Sequence, residues 1–146
     1  MDEVKDLVQM ILEKGYLMSL ATVDEGGPWV SDIIYVADGF TLYWLSHVNT
    51  RHSQAIFKNP KVAASITLTT SPSEDDIGLQ LEGKAEKIEG DILEIAKKHR
   101  LKRGKPAPTR EGEILDPEES WYKFTPTKIE LIYEPKWGFK KQVLEL

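Results

Sequence analysis

The feature that most constrains the fold is a change of hydrophobic period at Gly15. Before it, Val4, Leu7, Val8, Ile11 and Leu12 recur at helical spacing from Asp2 to Lys14, with Asp2 placed to cap the helix and Gly15 to stop it. After it the period falls to two. YLMSLATV (16–23), WVSDIIYVA (29–37) and FTLYWLS (40–46) are rich in β-branched and aromatic residues, and DEGGP and DG separate them. One amphipathic helix therefore leads into three strands joined by tight hairpins.

The alternation returns further on. SHVNTRHSQAIFKNP (46–60) predicts a short helix from Arg51 to about Lys58, ended at Asn59-Pro60 because proline disfavours helical geometry in the residue before it. KVAASITLTT (61–70) and IGLQLEGKAEKI (77–88) read as strands around the loop SPSEDD, and Gly83 predicts a bulge or a close approach of the backbone to something bound. Asp91 to Lys102 predicts a second long helix with Ile92, Leu93, Ile95 and Ala96 apolar. RGKPAPTREGEILDPEE (103–119) carries three of the eight prolines and predicts a surface excursion, a candidate lid. WYKFTPTKIELIY and GFKKQVLEL close the sequence as two strands around EPKW. Seven or so mostly antiparallel strands with interspersed helices predict a mainly β (α+β) fold, a small barrel with peripheral helices, since closure removes exposed strand edges. At 146 residues we expect a single domain, 1–146.

Composition narrows the chemistry. The absence of cysteine removes disulfides, thiolate nucleophiles and thiolate metal sites. A net charge of -5 gives no general field for nucleic acid, and no apolar run approaches the roughly 20 residues that span a bilayer. No nucleic-acid or membrane partner is expected, and the location expected is cytoplasmic. There is no zinc signature, phosphate loop or Gly-x-Ser-x-Gly pattern, which argues against hydrolase and nucleotidase chemistry. The acidic run Glu74-Asp75-Asp76 has no second ligand group at recognisable spacing and reads as a solvated loop; no metal site is expected.

The basic pair Arg51-His52 is the strongest candidate site. Thr50 suits an N-cap, so the amides of Arg51, His52 and Ser53 would point outward at the positive end of a helix dipole. Arg51 adds a bidentate fork for a phosphate, His52 a second donor, and Ser46, at the end of the preceding strand, a hydroxyl. An isolated Thr-Arg-His is more often a plain helix start with two solvated side chains. The surrounding sequence shifts the balance.

LMSLATVDEGGPWVSDIIYV, GFTLYWLSHVNTRHSQAIFKNPKVAASI and LEGKAEKI together resemble the FMN-binding split β-barrel family related to pyridoxamine 5'-phosphate oxidase. The likeness covers Tyr16 to Ile88, and KWGFKK resembles the ending of small members that share the Thr-Arg-His motif. The resemblance implies a small antiparallel split β-barrel and a homodimer with FMN at its interface. It implies that Arg51 and His52 grip the FMN phosphate, with contacts from Leu45, Ser46 and Thr50. It also implies that the strand Ser31, Asp32, Ile33, Ile34 runs beside the isoalloxazine ring and offers it backbone groups, and that Gln80 approaches from the second subunit. Ser31 stands where the oxidase has an arginine, and the C-terminal arginine-histidine pattern is missing, which argues against oxidation of pyridoxamine phosphate.

Other residues carry weaker readings. Trp29, Tyr35, Tyr43, Trp44 and Trp137 are candidate ring-stacking surfaces; Trp44 is assigned to packing and Trp137, in the loop after Pro135, to the ring edge. Lys140 and Lys141 are placed to put a cation near the reduced flavin, or to protect an edge strand. His47 reads as a surface residue or a proton donor. With these residues, the resemblance implies a flavin-dependent oxidoreductase or flavin reductase serving a small-molecule electron donor or acceptor. The alternatives are a non-catalytic protein that binds flavin or haem for storage or sensing, and a deazaflavin-dependent reductase.

Overall fold

The computed structural model describes residues 2–89, 92–113 and 115–146. Its elements follow in the order α1 (Asp2–Lys14), β1 (Leu17–Asp24), β2 (Gly27–Ile34), β3 (Val36–Asp38), β4 (Thr41–His47), α2 (Arg51–Lys58), β5 (Lys61–Thr67), β6 (Ile77–Ile88), α3 (Leu93–Lys102), β7 (Glu119–Tyr133), α4 (Glu134–Trp137) and β8 (Gln142–Glu145). Among the described residues no helix is long and apolar enough to cross a membrane.

All strand pairs are antiparallel, in the order β2-β1-β5-β6-β7-β4-β3, with β8 on the second half of β7. The outermost members, β2 and β3, are separated in sequence by Tyr35 alone. A sheet whose two edges lie one residue apart must curl until they meet, so the connectivity itself forces a barrel. The sequence expectation of one strand over 29–37 is corrected here: the chain breaks at Tyr35, passing from the β1 ladder to the β4 ladder. The mainly β split barrel with peripheral helices is otherwise as expected.

Period-two alternation fills the interior. Val62, Ala64 and Ile66 of β5 are buried and their neighbours exposed, while Met18 and Leu20 join Leu42, Trp44, Phe124, Ile129 and Leu131 in one core. Trp44 is a packing residue, fully buried and stacked on Tyr122 at 5.7 Å. The amphipathic α1 adds Val4, Val8, Ile11 and Leu12 to this core, with Leu7 partly buried against it. Gly83 sits at the expected bulge. The β6–β7 register shifts between Glu82 and Gly83, and a Cβ there would lie 2.2 Å from the Thr125 carbonyl oxygen.

Several local expectations change. Asp2 is the first helical residue of α1 rather than its cap. EPKW forms the short helix α4, with Pro135 tolerated in its first turn, so Trp137 is helical and not in a loop. The last strand is only Gln142–Glu145. The expected second helix begins at Leu93; its expected start, Asp91, lies outside the described residues. The described residues between α3 and β7 form turns without a regular element.

Tyr35 is fully buried and donates its hydroxyl proton to the Leu12 carbonyl at 2.8 Å, tying the break in the sheet to the end of α1. Gly15 makes this approach possible. A Cβ on it would lie 2.5 Å from the Tyr35 hydroxyl oxygen, 2.9 Å from Ile66 Cγ2 and 3.1 Å from the Ile11 carbonyl oxygen. Tyr35→Phe should therefore cost about 1 kcal/mol, and Gly15→Ala about 1–3 kcal/mol through overpacking. In urea denaturation the double substitution should cost less than the sum, because removing the hydroxyl removes the closest of the three contacts the methyl would make; strict additivity would refute this coupling.

Candidate functional site

The first turn of α2 is built as a donor surface. Thr50 is extended (φ -66, ψ 155) and its Oγ1 accepts the Ser53 amide at 3.2 Å. The sequence expectation of three outward amides is thus reduced to two, those of Arg51 and His52, which precede the first intrahelical hydrogen bonds. At the other end the Asn59 amide returns to the Ala55 carbonyl, and Pro60 stops the helix.

The two basic side chains diverge from that turn. Arg51 reaches the β1–β2 hairpin, where Nε donates to Asp24 Oδ2 at 2.9 Å and Nη2 to Asp24 Oδ1 at 3.1 Å. Its guanidinium carbon lies 4.3 Å from the centre of the Trp29 ring, a stacked cation–π contact. The hydrogen bonds from Arg51 are the main reason the Asp24 carboxyl is held below its ordinary pKa. His52 turns the other way, to β4: its Nε2 lies 2.8 Å from Ser46 Oγ and 3.2 Å from Thr50 Oγ1. One imidazole nitrogen is therefore committed to hydroxyls, and burial pushes the His52 pKa down.

These two reaches span a gap in the sheet. β2 pairs with β1 along its whole length and with nothing on its other side among the described residues. The β3–β4 ladder stops at Val36↔Tyr43, so Trp44 to His47 pair only with β7. Continuing that register past Tyr43 would set Ile34 opposite Leu45 and Ile33 opposite Ser46, yet no ladder forms there. From Tyr35 outward, β2 and the end of β4 therefore each offer an unpaired row of N–H and C=O groups. The first turn of α2 touches both edges, Arg51 on Trp29 of β2 and His52 on Ser46 of β4.

The structure divides the sequence candidates into two groups. Arg51, His52, Ser46, Leu45, Thr50 and the strand Ser31–Ile34 lie around the split. Ser31 and Ile33 pair with Leu20 and Met18 and share their inward face, whereas Asp32 turns outward and accepts from Ser19 Oγ at 2.7 Å. Gln80, Trp137 and Lys140 are elsewhere. Gln80 is on the outward face of β6, hydrogen-bonded by Lys141. Trp137 packs edge-on to Tyr133 at 6.4 Å, and Lys140 precedes β8 with its amide on the Trp137 carbonyl. Within one chain these three do not join the first group. His47 ends β4 rather than sitting in a loop and faces Glu118 at 3.4 Å.

Sequence reasoning missed Asp24 as a partner of Arg51. It lies 27 positions upstream and has a local role sufficient for a hairpin aspartate, accepting the Gly26 amide at 2.8 Å. His99 was also missed. It is 3 % exposed on α3, edge-on to Trp121 at 5.1 Å, with a buried Nδ1 that has no partner among the described residues. Trp121 is the β7 residue paired with Leu45.

The model of the family described as pyridoxamine 5'-phosphate oxidase matches residues 4–133. The UPF0306 protein plu4501 of Photorhabdus laumondii is 24% identical over 93 residues, 62% of this chain, and the match spans 65% of that relative's length. Among solved structures, General Stress Protein 26 from Bacillus anthracis superposes with a TM-score of 0.72 at 21% identity, covering 99% of both chains. A heme binding protein from Mycobacterium smegmatis superposes with a TM-score of 0.75 at 19% identity, covering 97% of this chain and 57% of that one. At these identities the structural likenesses establish the fold alone.

The buried imidazole of His99 gives a pH dependence with a definite sign. Burial first, then the charges of Arg103, Arg100 and Lys102, push its pKa down to about 4 from 6.5. The folded state thus keeps His99 neutral where the unfolded chain would protonate it, and its stabilisation is complete above 6.5 and lost as the pH falls through about 4. Urea unfolding measured across this range should show stability declining toward acid. His99→Gln should flatten the decline; an unchanged slope would show that other groups cause it.

Proposed function

Because the chain belongs to the pyridoxamine 5'-phosphate oxidase family, we propose that it binds FMN and acts as a flavin-dependent oxidoreductase or flavin reductase, as a homodimer with the cofactor at the interface. The observation that carries this reading is the split itself, with two unpaired strand edges diverging from Tyr35 and the first turn of α2 lying across both of them.

The residues present fit the cofactor's two chemistries. The amides of Arg51 and His52 and the N–H groups of Arg51 that Asp24 leaves free suit a phosphate at the positive end of α2. The edge of β2 from Ser31 to Ile34, facing Leu45 and Ser46, offers alternating donors and acceptors that suit the amide-like rim of an isoalloxazine ring. His52 holds the Ser46 and Thr50 hydroxyls in place, and burial disfavours its charged form, so it serves as an orienting group more than as a charge. FMN would supply the hydride or electron transfer, and the chain would fix its orientation.

A second subunit accounts for the candidates that one chain keeps apart. The outward face of the sheet carries exposed Leu17, Val23, Val30 and Val143 around small residues such as Ala21 and Ala63. That is apolar surface of the kind homodimers bury, and Gln80 lies on the same face. In the dimer Gln80, Trp137 and Lys140 would approach the flavin of the partner. Ser31, where the oxidase has arginine, leaves pyridoxamine phosphate oxidation outside the proposal.

A non-catalytic haem-binding role is the second reading, favoured by the fold shared with the mycobacterial heme binding protein. His47, whose half-exposed side chain turns Nδ1 to Glu118, would be the imidazole to ligate iron at this end of the barrel, since His52 commits Nε2 to hydroxyls. The spectrum of the purified protein separates the two, a flavin band pair against a Soret band. Reduced nicotinamide then tests catalysis, because a flavin that stays oxidised with every donor supports binding alone.

Titrations give the quantitative test. Arg51→Ala should weaken FMN binding by about 1.5–3 kcal/mol, roughly one to two decades, while riboflavin, which lacks the phosphate, should bind both forms equally. Equal FMN affinity for the two proteins at matched ionic strength would remove the phosphate from this end of α2.

A further inference from the structure

Arg51 is held in a cradle. Its guanidinium carries five N–H bonds. Asp24 takes two of them, one on Nε and one on Nη2, leaving the two on Nη1 and the second on Nη2. The carboxylate is itself fixed by the Gly26 amide, and the Trp29 ring lies against the guanidinium. Gly26 lets the guanidinium come close: a Cβ there would lie 2.9 Å from Nη2, so any larger residue would displace the guanidinium from its present position. Three residues of one hairpin thus converge on one side chain of a distant helix.

We propose that Asp24, Gly26 and Trp29 are positioning residues that orient Arg51 so that its end-on Nη1–Nη2 fork meets the phosphate of the bound flavin. This rests on the FMN reading above. Two effects oppose each other. The Asp24 carboxylate repels a phosphate, yet it also removes the rotational freedom that a long arginine side chain would otherwise lose on binding. Asp24 shares its charge with Arg51 at hydrogen-bond distance and sits at a solvated surface where repulsion is screened. Ordering of the fork therefore outweighs repulsion, and Asp24 strengthens phosphate binding although its charge has the wrong sign.

The sign makes the proposal testable by a double-mutant cycle with the full chain, titrated with FMN and with riboflavin. Asp24→Ala should weaken FMN binding roughly ten-fold and leave riboflavin unchanged, and Trp29→Leu should act in the same direction on FMN. In the Arg51→Ala background, Asp24→Ala should have no weakening effect, because Asp24 acts only through Arg51. If Asp24→Ala tightens FMN binding in the wild-type background, the carboxylate is a competitor for the fork and the proposal is overturned. Loss of FMN and riboflavin binding alike, in both backgrounds, would show a merely structural hairpin and also overturn it. If the wild-type protein has no preference for FMN over riboflavin, the phosphate reading itself has failed. Asp24→Asn, which keeps one acceptor and the turn, should fall between wild type and Asp24→Ala in a protein whose fold is undisturbed.

Discussion

The rest of the structure depends on the single residue between β2 and β3. With Tyr35 as the whole connection, the two outer strands of a curled sheet start from the same point and pair with different neighbours, β2 with β1 and β3 with β4. A longer loop would let the edges close into a continuous ladder or drift apart. One buried residue does neither. It pins the edges together at one end and leaves them to diverge at the other, and its hydroxyl on the Leu12 carbonyl fixes that hinge against α1. The split is thus a consequence of chain connectivity, and its unpaired backbone groups follow from it.

An unpaired strand edge normally invites aggregation. Here the two exposed rows are crossed by the first turn of α2, whose side chains run to opposite sides: Arg51 onto Trp29, His52 onto Ser46. That arrangement places helix-terminal amides at the open end of the split, so that a ligand satisfying the strand edges would also meet the positive end of a dipole. Backbone pairing and electrostatics point to the same place. A phosphate and a planar heterocycle joined by a short chain answer both demands, which is why the family assignment and the geometry support one reading.

Much of this was legible in the sequence. α2 and β6 have the expected bounds because each carries its own punctuation: Thr50 and Asn59-Pro60 for the helix, the SPSEDD loop ahead of the strand. The Gly83 bulge was legible because a glycine inside a strand gives up side-chain packing, a loss that a bulge or a close backbone approach offsets. The break at Tyr35 was not. IIYVA is apolar throughout, and Tyr35, Val36 and Ala37 are all buried, so the slip of alternation that marks the break leaves no polar residue to reveal it. Nor was the partner of Arg51. Asp24 reads as an ordinary turn residue, and its second function exists only once β1 and α2 are brought together. Gln80, Trp137 and Lys140 carried no local signal strong enough to place them at the site; resemblance and ring chemistry suggested them, and one chain does not bring them there.

The charge of the chain shows why the site is organised by contact and not by field. At -5, the molecule as a whole repels an anionic ligand, and three of its four arginines lie at 100, 103 and 110, in or just beyond α3. Neither that net charge nor a distant cation acts strongly on a ligand, because screening confines exposed charges to roughly 8–10 Å at physiological ionic strength. On the reading proposed above, selectivity for a phosphate would come from the last few ångströms: two amides beside the Thr50 cap, and one guanidinium held on two sides by Asp24 and Trp29. A carboxylate beside the binding arginine would be a liability in a site that worked by attraction at a distance. In the site proposed here, which works by geometry, it would be the means of aiming the arginine.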